Sequence, residues 1–128
     1  MKTLAVVGSR NFNNYELLKT ILDKIQETVG FDKIVSGGAK GADKLAERYA
    51  EERNIDIDVI YPMWDKYGKS AGFIRNKQIW DKCDFGVAFW DGKSKGTKHS
   101  FEIAKKQNKE CIIVNYTVGE IYFLNKKV

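Results

Sequence analysis

Apolar positions along this chain follow two rhythms that take turns. Leu4-Ala5-Val6-Val7 is an unbroken apolar run ending at Gly8, as a strand covered on both faces should read. From Tyr15 the period becomes helical. Leu17, Leu18, Ile21, Leu22, Ile25 and Val29 fall on one face, and Gly30 is placed to stop the helix. Ile34-Val35 predicts a second strand running into Ser36-Gly37-Gly38, and Ala42, Leu45, Ala46, Tyr49 and Ala50 stripe a second helix. Residues Ile55 to Tyr61 alternate and end at Pro62, the only proline. Met63 to Ser70, with Trp64, Tyr67 and Gly68, has no clear period. A helix is expected from Ala71 to Lys82, a strand over Phe85–Trp90 and another over Cys111–Val114. Asp91 to Thr97 reads as loop by composition, with helix from Ser100 to Gln107. For Ile121, Tyr122, Phe123 and Leu124, an edge strand and a short helix both stay open.

Strands alternating with helices imply an α/β domain: a mostly parallel sheet of about five strands, helices on both faces and right-handed crossovers. A length of 128 residues suits one domain, and no linker divides residues 1–128. In such sheets a ligand binds beyond the carboxyl ends of the strands, near the point where strand order reverses.

Three strand-to-helix turns carry small or hydroxyl residues at those ends: Gly8-Ser9-Arg10, the run Ser36-Gly37-Gly38-Ala39-Lys40-Gly41-Ala42-Asp43, and Ser94-Lys95-Gly96-Thr97. Parallel strands would open all of them on one edge. Glycine lets backbone N–H groups approach a bulky anion, and a helix N-terminus adds unpaired donors and positive potential. Ser9, Ser36, Ser94 and Thr97 can add hydroxyl donors, and Arg10 a charge-assisted contact to phosphate. The spacing is neither a Walker A loop nor a GxGxxG fingerprint. For Asp43, complementing the dipole of its own helix and binding a ribose both stay open. Trp64, Tyr67 and Trp90 flank the expected cleft. They could pack in the core or stack a base, the latter worth roughly 1–3 kcal/mol.

The net charge of +5 favours an anionic partner. The lysines are dispersed, however, over helix faces and a tail carrying Lys126 and Lys127, which argues for solvated surface over a nucleic-acid footprint. Cys83 and Cys111, far apart and without metal-ligand spacing, read as reduced, half-buried thiols, and with His99 the only histidine no zinc site is expected. The apolar run at the start stops too early for a signal peptide, and no run is long enough to span a membrane, so a cytoplasmic location is expected.

The run Val7-Gly8-Ser9-Arg10 and the run Val35 to Asp43 resemble the small YspA-like, YpsA-related members of the SLOG superfamily. The resemblance continues through Pro62-Met63-Trp64, Gly68 to Gly72, Arg75-Asn76, Ala88 to Gly92 and Ser94 to Thr97. It implies a Rossmann-like three-layer α/β/α sandwich that binds a nucleotide or nucleotide-derived ligand as a homo-oligomer; no cofactor is expected. The superfamily also holds the lonely-guy phosphoribohydrolases, which cleave the N-glycosidic bond of nucleoside 5′-monophosphates, and DprA, which binds single-stranded DNA. In the phosphoribohydrolases a helical arginine and a glutamate just after a Gly-Gly-x-Gly-Thr turn serve the reaction. Arg75, followed by Asn76, is similar to that arginine, and Gly96-Thr97 to the end of that turn. The positions expected to be acidic are His99 and Ser100 here. Glu102 follows one helical turn later, sharing a face with His99.

Three functions compete. The first is a nucleotide-binding sensor or sequestering module, using Gly8, Ser9, Arg10, Ser36, Gly37, Gly38, Ala39, Gly41, Ala42, Asp43, Trp64, Arg75, Asn76, Trp90, Ser94, Gly96 and Thr97. The second is a nucleotide N-glycosidase with Arg75 and Glu102 as catalytic residues. The third is a single-stranded nucleic-acid binder of the DprA kind. The missing acid after Thr97 places the first ahead of the second, and the dispersed charge places it ahead of the third.

Overall fold

The protein is described by a computed structural model over residues 2–125; Lys126 and Lys127 lie outside the described residues. The order is β1 (Thr3–Gly8), α1 (Tyr15–Thr28), β2 (Lys33–Ser36), α2 (Ala42–Arg53), β3 (Asp56–Val59) and a single turn α3 (Trp64–Tyr67). A 3-10 turn over Gly68–Ser70 then leads into α4 (Ala71–Asp81), β4 (Phe85–Trp90), α5 (Lys95–Lys106), β5 (Glu110–Asn115) and β6 (Glu120–Leu124).

The six strands lie in the order β3-β2-β1-β4-β5-β6. The first five are parallel, while β6 runs antiparallel to β5. A parallel return needs a long crossover, which the short link from Asn115 to Glu120 cannot supply. The tail therefore adds an antiparallel edge strand to the expected five.

Alternation along β1 decides the layers. Leu4 and Val6 point to one face, where they join Leu18, Leu22 and Ile25 of α1 and Ala46 and Tyr49 of α2. Ala5 and Val7 point to the other, with Ile79 and Trp80 of α4 and Phe101 and Ala104 of α5. The result is a Rossmann-like α/β/α sandwich. Cys83 and Cys111 are both buried in the second layer, deeper than the half-burial expected. No helix among the described residues is long and apolar enough to cross a membrane.

Two local readings change. The irregular Met63–Ser70 stretch contains α3 and the 3-10 turn. Helix α5 begins at Lys95, not Ser100, because the Ser94 side chain accepts from the Thr97 N–H and caps it. The loop-like composition of Asp91–Thr97 concealed a helix start, and that shift matters for the site.

Candidate functional site

Strands β1 and β4 are parallel neighbours, with Gly8 level with Phe89 at their carboxyl ends. The helices that follow them leave for opposite faces: α1 packs on one layer and α5 on the other. A crevice opens where they diverge. It forms a cleft of about 440 Å³ lined by Val7 to Asn11, by Ala39 and Asp43, by Arg75, Asn76 and Ile79 of α4, and by Asp91, Ser94, Gly96, Thr97 and Ser100. A second hollow of similar size shares Arg10, Ala39 and Arg75 with it. That hollow runs past Gly37, Gly38 and Lys40 to Tyr61, Pro62 and Trp64.

Hydrogen bonds lock the β1 and β4 ends together. The Ser9 N–H donates to the Phe89 carbonyl at 2.8 Å. Ser9 Oγ accepts from the Asp91 N–H at 3.2 Å and lies 3.4 Å from Thr97 Oγ1. Asp91 Oδ1 accepts from the Lys93 and Ser94 N–H groups at 2.9 and 2.7 Å, which shapes the turn into α5. Desolvation pushes the Asp91 carboxyl up, but those amides and Asn11 outweigh it and hold it below the usual range. Thr97 Oγ1 donates to Ser94 Oγ at 3.1 Å. The Lys95 and Gly96 N–H groups have no acceptor among the described residues, and the first turn of α5 carries no acid. It is an open helix N-terminus facing the cleft.

The α2 end is different. Gly41 has φ +82°, and a Cβ there would lie 2.3 Å from the Ser9 carbonyl oxygen, so this glycine lets the helix start against the first turn. The first turn of α2 carries Asp43, which is 5% exposed. Asp43 Oδ2 accepts from the Ala39 N–H at 3.1 Å, whereas Oδ1 has no partner among the described residues. Burial pushes this carboxyl up to about 6, against the lowering influence of the Ala39 amide, Arg75 and the nearby Ser36 hydroxyl. The folded protein thus holds the proton more tightly than the unfolded chain, whose value is near 3.8. Asp43 therefore favours the fold most below that value, and the contribution is lost as pH rises through about 6. Denaturant titrations between pH 4 and pH 7 should show this loss, and Asp43→Asn should flatten it.

Arg75 approaches from α4. Its Nη1 donates to the Gly37 carbonyl at 2.5 Å and its Nε to Asn76 Oδ1 at 3.0 Å. A Cβ on Gly37 would lie 2.6 Å from Arg75 Nη1 and 2.9 Å from Asp43 Oδ2, so a bare backbone separates the guanidinium from the carboxylate. With Asn76 Oδ1 committed to Arg75, its NH₂ faces His99 Nδ1 at 3.2 Å, and His99 accepts there as the Nε2–H tautomer. Burial lowers the His99 pKa, although Glu102 pulls it up. Neither Arg10 nor Arg75 is in an ion pair among the described residues. Two cations thus border the cleft without carboxylate partners at salt-bridge distance.

Of the residues singled out in the sequence, Gly8, Ser9, Arg10, Ala39, Asp43, Arg75, Asn76, Ser94, Gly96 and Thr97 share the first hollow. Gly37, Gly38 and Trp64 border the second. Five lie outside both linings. Ser36 Oγ donates to the Val6 carbonyl at 2.7 Å inside the core, Ala42 is fully buried and Gly41 backs the turn. Trp90 donates from Nε1 to the Ser94 carbonyl at 3.1 Å and packs edge-on to Phe101, bracing the turn from behind. Glu102 is exposed on α5. Asn11, Asp91, Ser100 and Tyr61 were not singled out as site residues. Asn11 and Asp91 each stand just past a strand end, and that position was the available signal.

Comparison with known proteins agrees with this architecture. A model of the YspA, cpYpsA-related SLOG family matches residues 3–67, which run from β1 to the end of α3. The Gene 61 protein of Mycobacterium phage D29 is 30% identical over 113 residues, covering 83% of this chain and 90% of that protein.

Proposed function

Because the chain belongs to the YspA, cpYpsA-related SLOG family, we propose that its cleft binds a nucleotide or nucleotide-derived ligand through the turns at the carboxyl edge of the sheet. It holds that ligand without turnover, as a sensor or sequestering module. One observation carries the reading: an acid-free helix N-terminus, whose Lys95 and Gly96 amides have no acceptor among the described residues, opens on a cleft bordered by Arg10 and Arg75. The phosphate sits on that end of α5, where oriented N–H groups and the dipole favour an anion. The Ser94 hydroxyl, whose oxygen accepts from Thr97 Oγ1, and Arg10 complete its donors. The ligand's flat portion lies toward Tyr61 and Trp64, both more than half exposed at the second hollow.

Holding is favoured over hydrolysis because Glu102 is exposed and outside the lining. Calorimetric titration with nucleoside 5′-monophosphates and dinucleotides, followed by chromatography for free base, tests both parts. Saturable binding without free base is the expected result. Released base would overturn the absence of turnover, and no binding across the panel would overturn the reading itself. Arg10→Ala should weaken binding roughly 10- to 100-fold, the range for losing a charge-assisted contact. Raising salt from 50 to 200 mM should cost far less than the roughly 1,000-fold typical of extended nucleic-acid contacts.

A further inference from the structure

Asp43 is the feature that a phosphate site does not explain. It lines the same cleft as the open end of α5, yet it is a buried carboxylate whose Oδ1 has no hydrogen-bond partner among the described residues. A buried acceptor without a partner is costly, and an ionised phosphate beside it would add repulsion. Its Oδ2 already accepts from Ala39, and what Oδ1 lacks among the described residues is a donor. The donor should be neutral, because Arg10 and Arg75 border the cleft and disfavour a cationic group. A base amino group fits less well, since Asp43 lines only the first hollow while Tyr61 and Trp64, the surfaces for a flat ring, line the second beyond Arg75.

Hydroxyl groups of a sugar meet all these conditions. Donors stand on one wall of the cleft, at Ser94, the α5 end and Arg10, and an acceptor stands on another, at Asp43. A sugar phosphate presents the complement: acceptor oxygens at one end and hydroxyl donors at the other. We infer that Asp43 is a specificity-determining residue whose carboxylate accepts hydrogen bonds from the 2′ and 3′ hydroxyls of a ribose 5-phosphate unit. The inference rests on the nucleotide-binding reading and narrows it to ligands with a free ribose diol. Loss of those hydroxyls leaves the buried carboxylate unpaired again, and this is the situation in which a polar site discriminates strongly. Asn at this position keeps an acceptor for the Ala39 N–H but replaces the charged acceptor with an amide.

The test uses the full chain and its Asp43→Asn variant, with the common ribonucleoside 5′-monophosphates, their 2′,3′-dideoxy counterparts and inorganic phosphate as probes. The wild type should bind at least one ribonucleotide at least about tenfold more tightly than its dideoxy counterpart. In Asp43→Asn that ratio should fall to within about threefold, while inorganic phosphate binds as well as before or better, which shows the cleft intact. Equal binding of ribo and dideoxy forms by the wild type would overturn the inference and leave the nucleotide reading standing. So would a preference that survives in Asp43→Asn, or a variant that loses inorganic phosphate. Failure of the wild type to bind any of the probes would overturn both.

Discussion

Replacing Gly96 with aspartate should lower affinity for a 5′-phosphate ligand by at least about 100-fold without destabilising the protein. The position is unusual in separating function from fold. A Cβ at Gly96 would meet nothing within 4 Å, so the new side chain has room. It falls in the first turn of α5, where an acid complements the dipole by roughly 0.3–1 kcal/mol. The same charge stands beside the Lys95 and Gly96 amides proposed to receive the phosphate. Two unit charges about 4 Å apart at an effective dielectric near 20 repel by about 4 kcal/mol, more than enough for the stated loss. Thermal unfolding and phosphate titration on one sample check both halves. An affinity within about threefold of wild type would place the anion somewhere other than α5.

The opposite outcome is expected at Gly41. Alanine there should destabilise the protein by about 3 kcal/mol or more, seen as a lower denaturant midpoint. The backbone has φ +82° and ψ −129°, a conformation that residues with a Cβ avoid, at a cost of about 1–3 kcal/mol. The added Cβ would also lie 2.3 Å from the Ser9 carbonyl oxygen and 2.7 Å from the Arg10 carbonyl carbon. These are backbone atoms that cannot rotate away, so overpacking adds a further 1–3 kcal/mol or so. Relief by movement would displace Ser9 and Arg10, and phosphate affinity should fall with stability. An unchanged midpoint would mean that the α2 end and the first turn are not in close contact.

These two glycines look alike in the sequence, and the contrast shows what patterning can convey. Strands β1 and β4 and helix α1 were legible because each has an apolar face with something to pack against: Leu18, Leu22 and Ile25 are buried at helical spacing. The tail was not legible for the opposite reason. Ile121, Tyr122 and Phe123 of β6 are all exposed, so no buried face imposed a period. The start of α5 was missed because serine, lysine and glycine signal loop by composition, and only the Ser94 cap reveals a helix. Within the site, the three turns were legible as a group through their small residues. Their division of labour was not, since it depends on backbone approach: Gly41 lies against Ser9, Gly37 separates Arg75 from Asp43, and Gly96 faces open space. Trp90 shows the same limit. Its place at a strand end is compatible with either role, and only the structure shows the indole bonded to the Ser94 carbonyl and outside both hollows.

The central claim is that an anion sits on the α5 end of the cleft, and backbone amide NMR can test it directly. Titration with AMP should move the amides of Lys95, Gly96 and Thr97 most, together with those of Ser9, Arg10 and Asn11, and saturate at a single site. Shifts spread over the lysine-bearing helix faces, with the Lys95–Thr97 and Ser9–Asn11 amides unmoved, would contradict it.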